Sequence, residues 1–248
     1  MSANHFSFKQ FTIRQERCAM KVGTDGVLLG AWSNVSATGG QAVKPKRILD
    51  VGTGTGLIAL MAAQRNPDAH ITAIDIDPDA VRQAKENVCA SPFAERITVL
   101  QADFRQDLEG MFDAILCNPP YFENALRCPD ASRSTARHDD TLTFDELAQR
   151  AASLLRPQGT LSVIIPFERR TDMTAACATY GLTLIRETHV RTLLSKPPKR
   201  ILLEFASKPN DAGESDGADA CQTLCLESAP GVPTPAFKAL VKDFYLKF

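Results

Sequence analysis

The sequence has no run of eighteen apolar residues, no uninterrupted apolar stretch in its first twenty positions, no C-x-x-C pair, no internal repeat and no excess of either charge. Each absence excludes a class. Without a long apolar run or a signal-like segment, the chain is expected to be soluble, cytoplasmic and free of a membrane partner. An odd seven cysteines with no C-x-x-C pair argue against a disulfide framework and against a four-ligand zinc site. Cys221 and Cys225 stand four apart with no histidine nearby in the sequence, and no metal is assigned. Lys+Arg total 28 against Asp+Glu 29, so an anionic partner must be met by a local basic patch, not by the whole surface. What is present is ordinary for a globular chain: 248 residues, 44% hydrophobic and 23% charged. That is one large α/β unit with appendages rather than two catalytic domains.

From Lys46 onward short β-branched runs alternate with amphipathic stretches, the pattern of a mostly parallel sheet with helices on both faces. Seven strands are expected, at Arg47–Val51, His70–Asp75, Ile97–Gln101, Phe112–Cys117, Thr160–Ile165, Leu182–His189 and Ile201–Ala206. Helices are expected near Gly56–Arg65, Pro78–Ala90, Phe144–Leu155 and Glu168–Tyr180. Asp77-Pro78 reads as an N-cap with proline at the first helical position, and Gly181 as a helix C-cap. Residues 1–45 form an extension: a β-ribbon over Phe6 to Ile13, then Thr24-Asp25 as an N-cap before Val27, Leu28 and Leu29. Residues 46–248 form the main domain, interrupted at 209–220 by a segment with Asp211, Glu214 and Asp216 that is expected to be solvated. Phe237, Leu240, Val241, Phe244 and Tyr245 recur at helical spacing, so a last helix is expected to pack on the sheet.

The densest signal is Asp50-Val51-Gly52-Thr53-Gly54-Thr55-Gly56, between the first core strand and a helix. A glycine turn there lets backbone amides approach a ligand and aims a helix N-terminus at it. A dinucleotide fingerprint would need G-x-G-x-x-G, and its third glycine is replaced here by Leu57. The acid followed by G-x-G-x-G resembles instead the Rossmann-like methyltransferases that use S-adenosylmethionine (SAM). By that resemblance Asp50, Gly52, Thr53, Gly54 and Gly56 belong to the cofactor site. Asp75, with Ile76 beside it, ends the second strand where an acid can accept from both ribose hydroxyls. Asp103 resembles the acid that receives the adenine amino group, with Phe104 beside the ring.

Asn118-Pro119-Pro120-Tyr121 follows the apolar strand ending at Cys117. Two prolines fix the backbone, so the Asn118 side chain and the Pro119 carbonyl can act as a rigid pair of acceptors for a planar NH2 group. Tyr121 offers a face on which an extruded base can stack. With the glycine loop, this tetrapeptide resembles amino methyltransferases acting on adenine N6, guanine N2 or a glutamine amide. Phe8–Ile13 and Cys18–Trp32, with Arg133–His138, the stretch Lys196-Pro197-Pro198-Lys199-Arg200 and Asp243–Leu246, look like the bacterial tRNA(Val) adenine-N6 methyltransferase family. That family modifies the adenosine next to the anticodon. The resemblance implies a tRNA partner, SAM as cofactor and Thr24 and Asp25 over its methionine end. The charge pattern places Lys196, Lys199 and Arg200 on a basic edge that can meet the substrate, and Arg133, Arg137 and His138 where they can contact phosphates or the SAM tail. A monomer is expected. Methylation of rRNA guanine N2 or a protein glutamine is the enzymatic alternative, and a binding module without catalysis the non-enzymatic one.

Overall fold

A computed structural model describes residues 4–18, 21–33, 47–106, 108, 110–119, 142–207 and 221–247. The chain passes through β1 (His5–Ser7), β2 (Thr12–Arg14), α1 (Thr24–Trp32), β3 (Arg47–Val51), α2 (Leu57–Arg65), β4 (His70–Asp75) and α3 (Pro78–Cys89). It continues through β5 (Ile97–Gln101), β6 (Phe112–Cys117), α4 (Phe144–Leu154), β7 (Leu155–Pro166), α5 (Arg170–Thr179) and β8 (Leu182–Leu193). The last elements are β9 (Arg200–Ser207), β10 (Gln222–Ala229), β11 (Val232–Pro233) and α6 (Pro235–Val241).

The central sheet has the order β11-β10-β8-β9-β7-β6-β3-β4-β5, with β9 and β11 antiparallel to their neighbours and the other strands parallel. All seven expected strands are there. The count of seven is corrected to nine, because β10 and β11 extend the edge beyond β8. Gln222–Ala229 has a single buried residue, Leu224, and lies next to the two-residue edge strand β11, so it lacks the continuous apolar run that marked the others.

Period-two alternation assigns the strand side chains to two layers. Ile48, Ile71, Ala73, Ala114, Leu116, Ile164 and Leu202 face α1, α2 and α3. Leu49, Val51, Ile115, Leu161, Val163, Ile165 and Leu203 face α4 and α5. Both faces are therefore covered, which is why these strands read as nearly continuous apolar runs. Asp77 caps α3 by accepting from the Asp79 N–H at 2.8 Å, and Gly181, at φ +75°, follows α5 as expected. The expected N-cap at Thr24 is corrected: Gly23 is the cap residue and Thr24 is already helical.

The extension is stitched to the C-terminal segment and to α3. Phe8 stacks on Phe11 and Tyr245, and the Lys9 N–H donates to the Phe244 carbonyl. Asn87 of α3, fully buried, does more: its Oδ1 accepts the Arg14 N–H at 2.9 Å, and its Nδ2 donates to the carbonyls of Arg14 and Thr55, each at 2.8 Å. One side chain thus joins β2 to the glycine loop. Asn87→Ala removes three hydrogen bonds to backbone, one of them to the buried Thr55 carbonyl and two to the part-buried Arg14 backbone, a net loss of about 1 kcal/mol or more each. The expected result is a fall of about 3 kcal/mol or more in unfolding free energy by urea titration, against under about 0.5 kcal/mol for an exposed α3 control such as Lys85→Ala.

Candidate active site

Every parallel strand from β3 to β6 ends on the same side of the sheet, and a cavity of about 640 Å³ opens there. That size suits a nucleoside-scale ligand. Val51 to Thr55 form one wall, Ile74 to Asp77 and Ala80 another, Ala102 to Arg105 a third, and Cys117 to Pro119 lie at the end of β6. Cys18, Lys21, Gly23, Thr24, Asp25, Leu142 and Arg200 complete it.

The glycine loop is built around a carboxylate. Asp50 is fully buried at the end of β3, and its Oδ2 accepts from the Thr53 hydroxyl at 2.6 Å and the Ala59 N–H at 3.1 Å. Asp50 therefore holds the turn and the start of α2 from behind and does not itself line the cavity. Gly56 is likewise behind the wall. At φ +83° it turns the chain into α2, and a Cβ there would meet Ala84 of α3 at 3.5 Å. Gly52 and Gly54 are on the wall in left-handed conformations, at φ +69° and +55°, with open space where a side chain would be. Only glycine adopts this backbone readily while leaving the cavity clear.

Burial pushes the Asp50 carboxyl up to about 7, against the lowering effect of its Thr53 and Ala59 hydrogen bonds. An acid whose folded value lies above its unfolded value takes up a proton on folding. Its contribution to stability is complete below about pH 4 and is lost as the pH rises through about 7. Asp50→Asn removes that titration, so the stability of the variant relative to wild type is expected to improve from pH 5 to about pH 7 and to level off above it. Urea unfolding across that range checks it; parallel profiles for the two proteins would contradict it.

Asp75 sits between two amides, its Oδ2 accepting from Gly54 N–H at 2.8 Å and its Oδ1 from Asp77 N–H at 3.0 Å. A carboxylate retains lone pairs beyond these two bonds. Ile76 is half-exposed on the cavity wall, and Phe104 reaches the wall from the second core layer. Asp103 is gripped by Arg105, which donates from Nε to both carboxylate oxygens at 3.0 Å and from Nη2 to Oδ2 at 2.8 Å, holding its carboxyl below the usual range. Arg105 was not singled out in the sequence; its place two residues after Asp103 was the available signal.

Arg200 lies on the cavity wall and donates from Nε to Asp25 Oδ2 at 2.8 Å. The pair joins the Gly23-Thr24-Asp25 turn to the first residue of β9, so Arg200, read from sequence with the substrate contacts, is turned toward Asp25 on the cavity wall. Lys196 and Lys199 do not reach the cavity. They are exposed on the β8–β9 connection, which Arg191 braces by donating to the Lys196 carbonyl at 3.1 Å. The cavity also contains two thiols that the sequence reading passed over. Burial, with Asp75, Asp77 and Asp79, pushes Cys18 up to about 11, and burial with Asp50 drives Cys117 well above the usual thiol range. Both thiols are therefore held in the protonated form.

Asn118 follows the fully buried end of β6 and is itself partly exposed, and Pro119, largely buried, lines the cavity beside it. Pro120, Tyr121, Arg133, Arg137, His138 and the 209–220 segment lie outside the described residues.

A family model for the methyltransferase small domain matches residues 37–175. A tRNA1(Val) (adenine(37)-N6)-methyltransferase of Phocaeicola vulgatus is 48% identical over 243 residues, covering 98% of this chain and 97% of that protein. One of Porphyromonas gingivalis is 45% identical over 251 residues, covering 99% and 96%. Among solved structures, a predicted O-methyltransferase of Agrobacterium tumefaciens superposes with a TM-score of 0.67 at 19% identity, covering 89% of this chain and 96% of that one. That last likeness concerns the fold.

Proposed function

Because this chain belongs to the tRNA1(Val) (adenine(37)-N6)-methyltransferase family, we propose that its glycine-lined cavity takes S-adenosylmethionine and that Asn118 and Pro119 present the adenine to it. The reaction is SAM-dependent methylation of N6 of adenosine 37 in valine tRNA. The observation that carries the site assignment is convergence: Gly52, Gly54, Asp75, Asp25 and Asn118, far apart in sequence, line one cavity of about 640 Å³ at the carboxyl ends of the strands.

The residues fit such a cofactor. The bare Cα positions of Gly52 and Gly54 leave room for close approach, and Asp75 retains acceptor capacity for a pair of ribose hydroxyls. Ile76 and Phe104 supply apolar surface for a base, and the Asp25–Arg200 pair offers both signs of charge for an amino-acid tail. When bound, SAM supplies a methyl group activated by its sulfonium.

The chain's own residues do the rest. An adenine amino group is a weak nucleophile because its lone pair is delocalised into the ring. The Asn118 side-chain carbonyl and the Pro119 carbonyl accept its two hydrogens, favouring a pyramidal nitrogen whose lone pair can point at the methyl. Positioning takes the place of a strong base, and the N6 proton leaves to solvent after transfer. Tyr121 stacks on the extruded base, which costs less to extrude from a single-stranded anticodon loop than from a duplex. Lys196 and Lys199, with Arg133, Arg137 and His138, meet the phosphates. The protein acts as a cytoplasmic monomer; no helix among the described residues is long and apolar enough to cross a membrane.

Labelled SAM and two valine tRNA transcripts test this. The transcript with adenosine at position 37 is expected to accept one methyl per molecule and the transcript with guanosine there none; equal labelling of both would overturn the assignment.

A further inference from the structure

Away from the cavity, three different metal-binding side chains meet at the edge of the sheet. Glu187 and His189 stand two apart on β8 and so share a face, and Cys221 immediately precedes β10. The Cys221 Sγ lies 3.2 Å from His189 Nε2, and Glu187 Oε1 lies 3.1 Å from that same nitrogen. All three atoms are within 4.8 Å of one another. From the sequence, Cys221 had no histidine near it; parallel pairing of β10 with β8, Thr223 opposite His189, brings one there across 32 positions.

One imidazole nitrogen carries one proton or one lone pair, yet here it faces both a thiol and a carboxylate. A single cation satisfies all three. Tetrahedral coordination at about 2.0–2.3 Å separates neighbouring ligand atoms by about 3.3–3.6 Å, close to the two separations from His189 Nε2, 3.1 and 3.2 Å. The outer contacts aim them. Arg170 donates to Glu187 Oε2 from Nε at 3.0 Å and Nη2 at 2.6 Å, leaving Oε1 toward the histidine, and Phe167 packs edge-on against the imidazole at 4.8 Å. Such fixing of the ligands from behind is what a metal site requires.

We propose that Glu187 Oε1, His189 Nε2 and Cys221 Sγ bind one zinc-class divalent cation, with a fourth position open to solvent on the exposed side of Cys221. On binding, the thiol proton is released to solvent and the thiolate becomes the soft ligand that selects zinc over magnesium or calcium. The cation ties the first residue before β10 to the middle of β8. It therefore pins the edge strand where its pairing begins, at Gln222 opposite Thr188. None of the three residues lines the central cavity, so the inference stands apart from the methyl-transfer reading.

The test uses the full chain freed of metal and titrated with cobalt(II), then zinc(II). Wild type is expected to show a sulfur-to-cobalt charge-transfer absorption that saturates at one ion per chain, is displaced by zinc, and is accompanied by a rise in melting temperature with zinc. Cys221→Ser and His189→Ala are expected to lose the band and the rise, whereas Cys89→Ser, an exposed cysteine elsewhere, keeps both. Methyl transfer by Cys221→Ser is expected to match wild type, which shows that the variant is folded. A band that survives Cys221→Ser, or a wild type with no thiolate band at one equivalent, would overturn the proposal.

Discussion

Asn118→Ala is expected to slow methyl transfer by about 10²–10³-fold, the scale for removing one preorganised polar group from a transition state, with SAM affinity nearly unchanged. The reason is where the side chain sits. β6 ends in Leu116 and Cys117, both fully buried and paired with β3 and β7, so the residue that follows has a fixed origin. Pro119 fixes the backbone just beyond it. On the proposed role Asn118 is a placed acceptor for the amino group, which is why the variant's loss is expected in the rate and not in SAM affinity. Asn118→Asp keeps an acceptor oxygen at the same point and is expected to retain part of the lost rate, which a merely structural role for the amide would not produce. Single-turnover kinetics with SAM binding measured separately distinguishes the two; an unchanged rate in the alanine variant would refute the role.

The second large effect is on binding. Asp75→Ala is expected to raise the SAM dissociation constant by about 10²-fold or more, since two hydrogen bonds to a charged group are worth about 1.5–3 kcal/mol each. Part of the loss is indirect, because the same carboxylate accepts from Gly54 N–H at 2.8 Å and so steadies the loop. Asp75→Asn, which retains one carbonyl oxygen, is expected to fall between wild type and alanine. At saturating SAM the rate returns toward wild type, separating this residue from Asn118. Calorimetric titration measures the affinity directly, and an unchanged value would remove Asp75 from the cofactor site.

Much of this was legible in the sequence because it is local. The G-x-G-x-G turn, the acid ending β4 and the residues after β6 each announce themselves within a few positions, and a parallel sheet delivers strand ends to one place. What depends on side-chain direction was not legible. Asp50 heads the motif, yet its carboxylate turns inward to Thr53 and Ala59; Arg200 belongs to a basic stretch, yet it turns to Asp25. Pairings at long range were equally hidden. Asn87 reads as an ordinary polar position of an amphipathic helix, and only the fold brings Arg14 and Thr55 to it. β10 has only one buried residue and was not read as a strand, so the meeting of Cys221 and His189 was out of reach.

The measurement that bears most directly on the central claim offers labelled SAM to unmodified valine tRNA, ribosomal RNA and a release factor side by side, followed by nucleoside mass spectrometry of whatever is labelled. N6-methyladenosine in the tRNA alone, formed in equal amount with S-adenosylhomocysteine, is the predicted result; label in guanosine or in the protein substrate would contradict it.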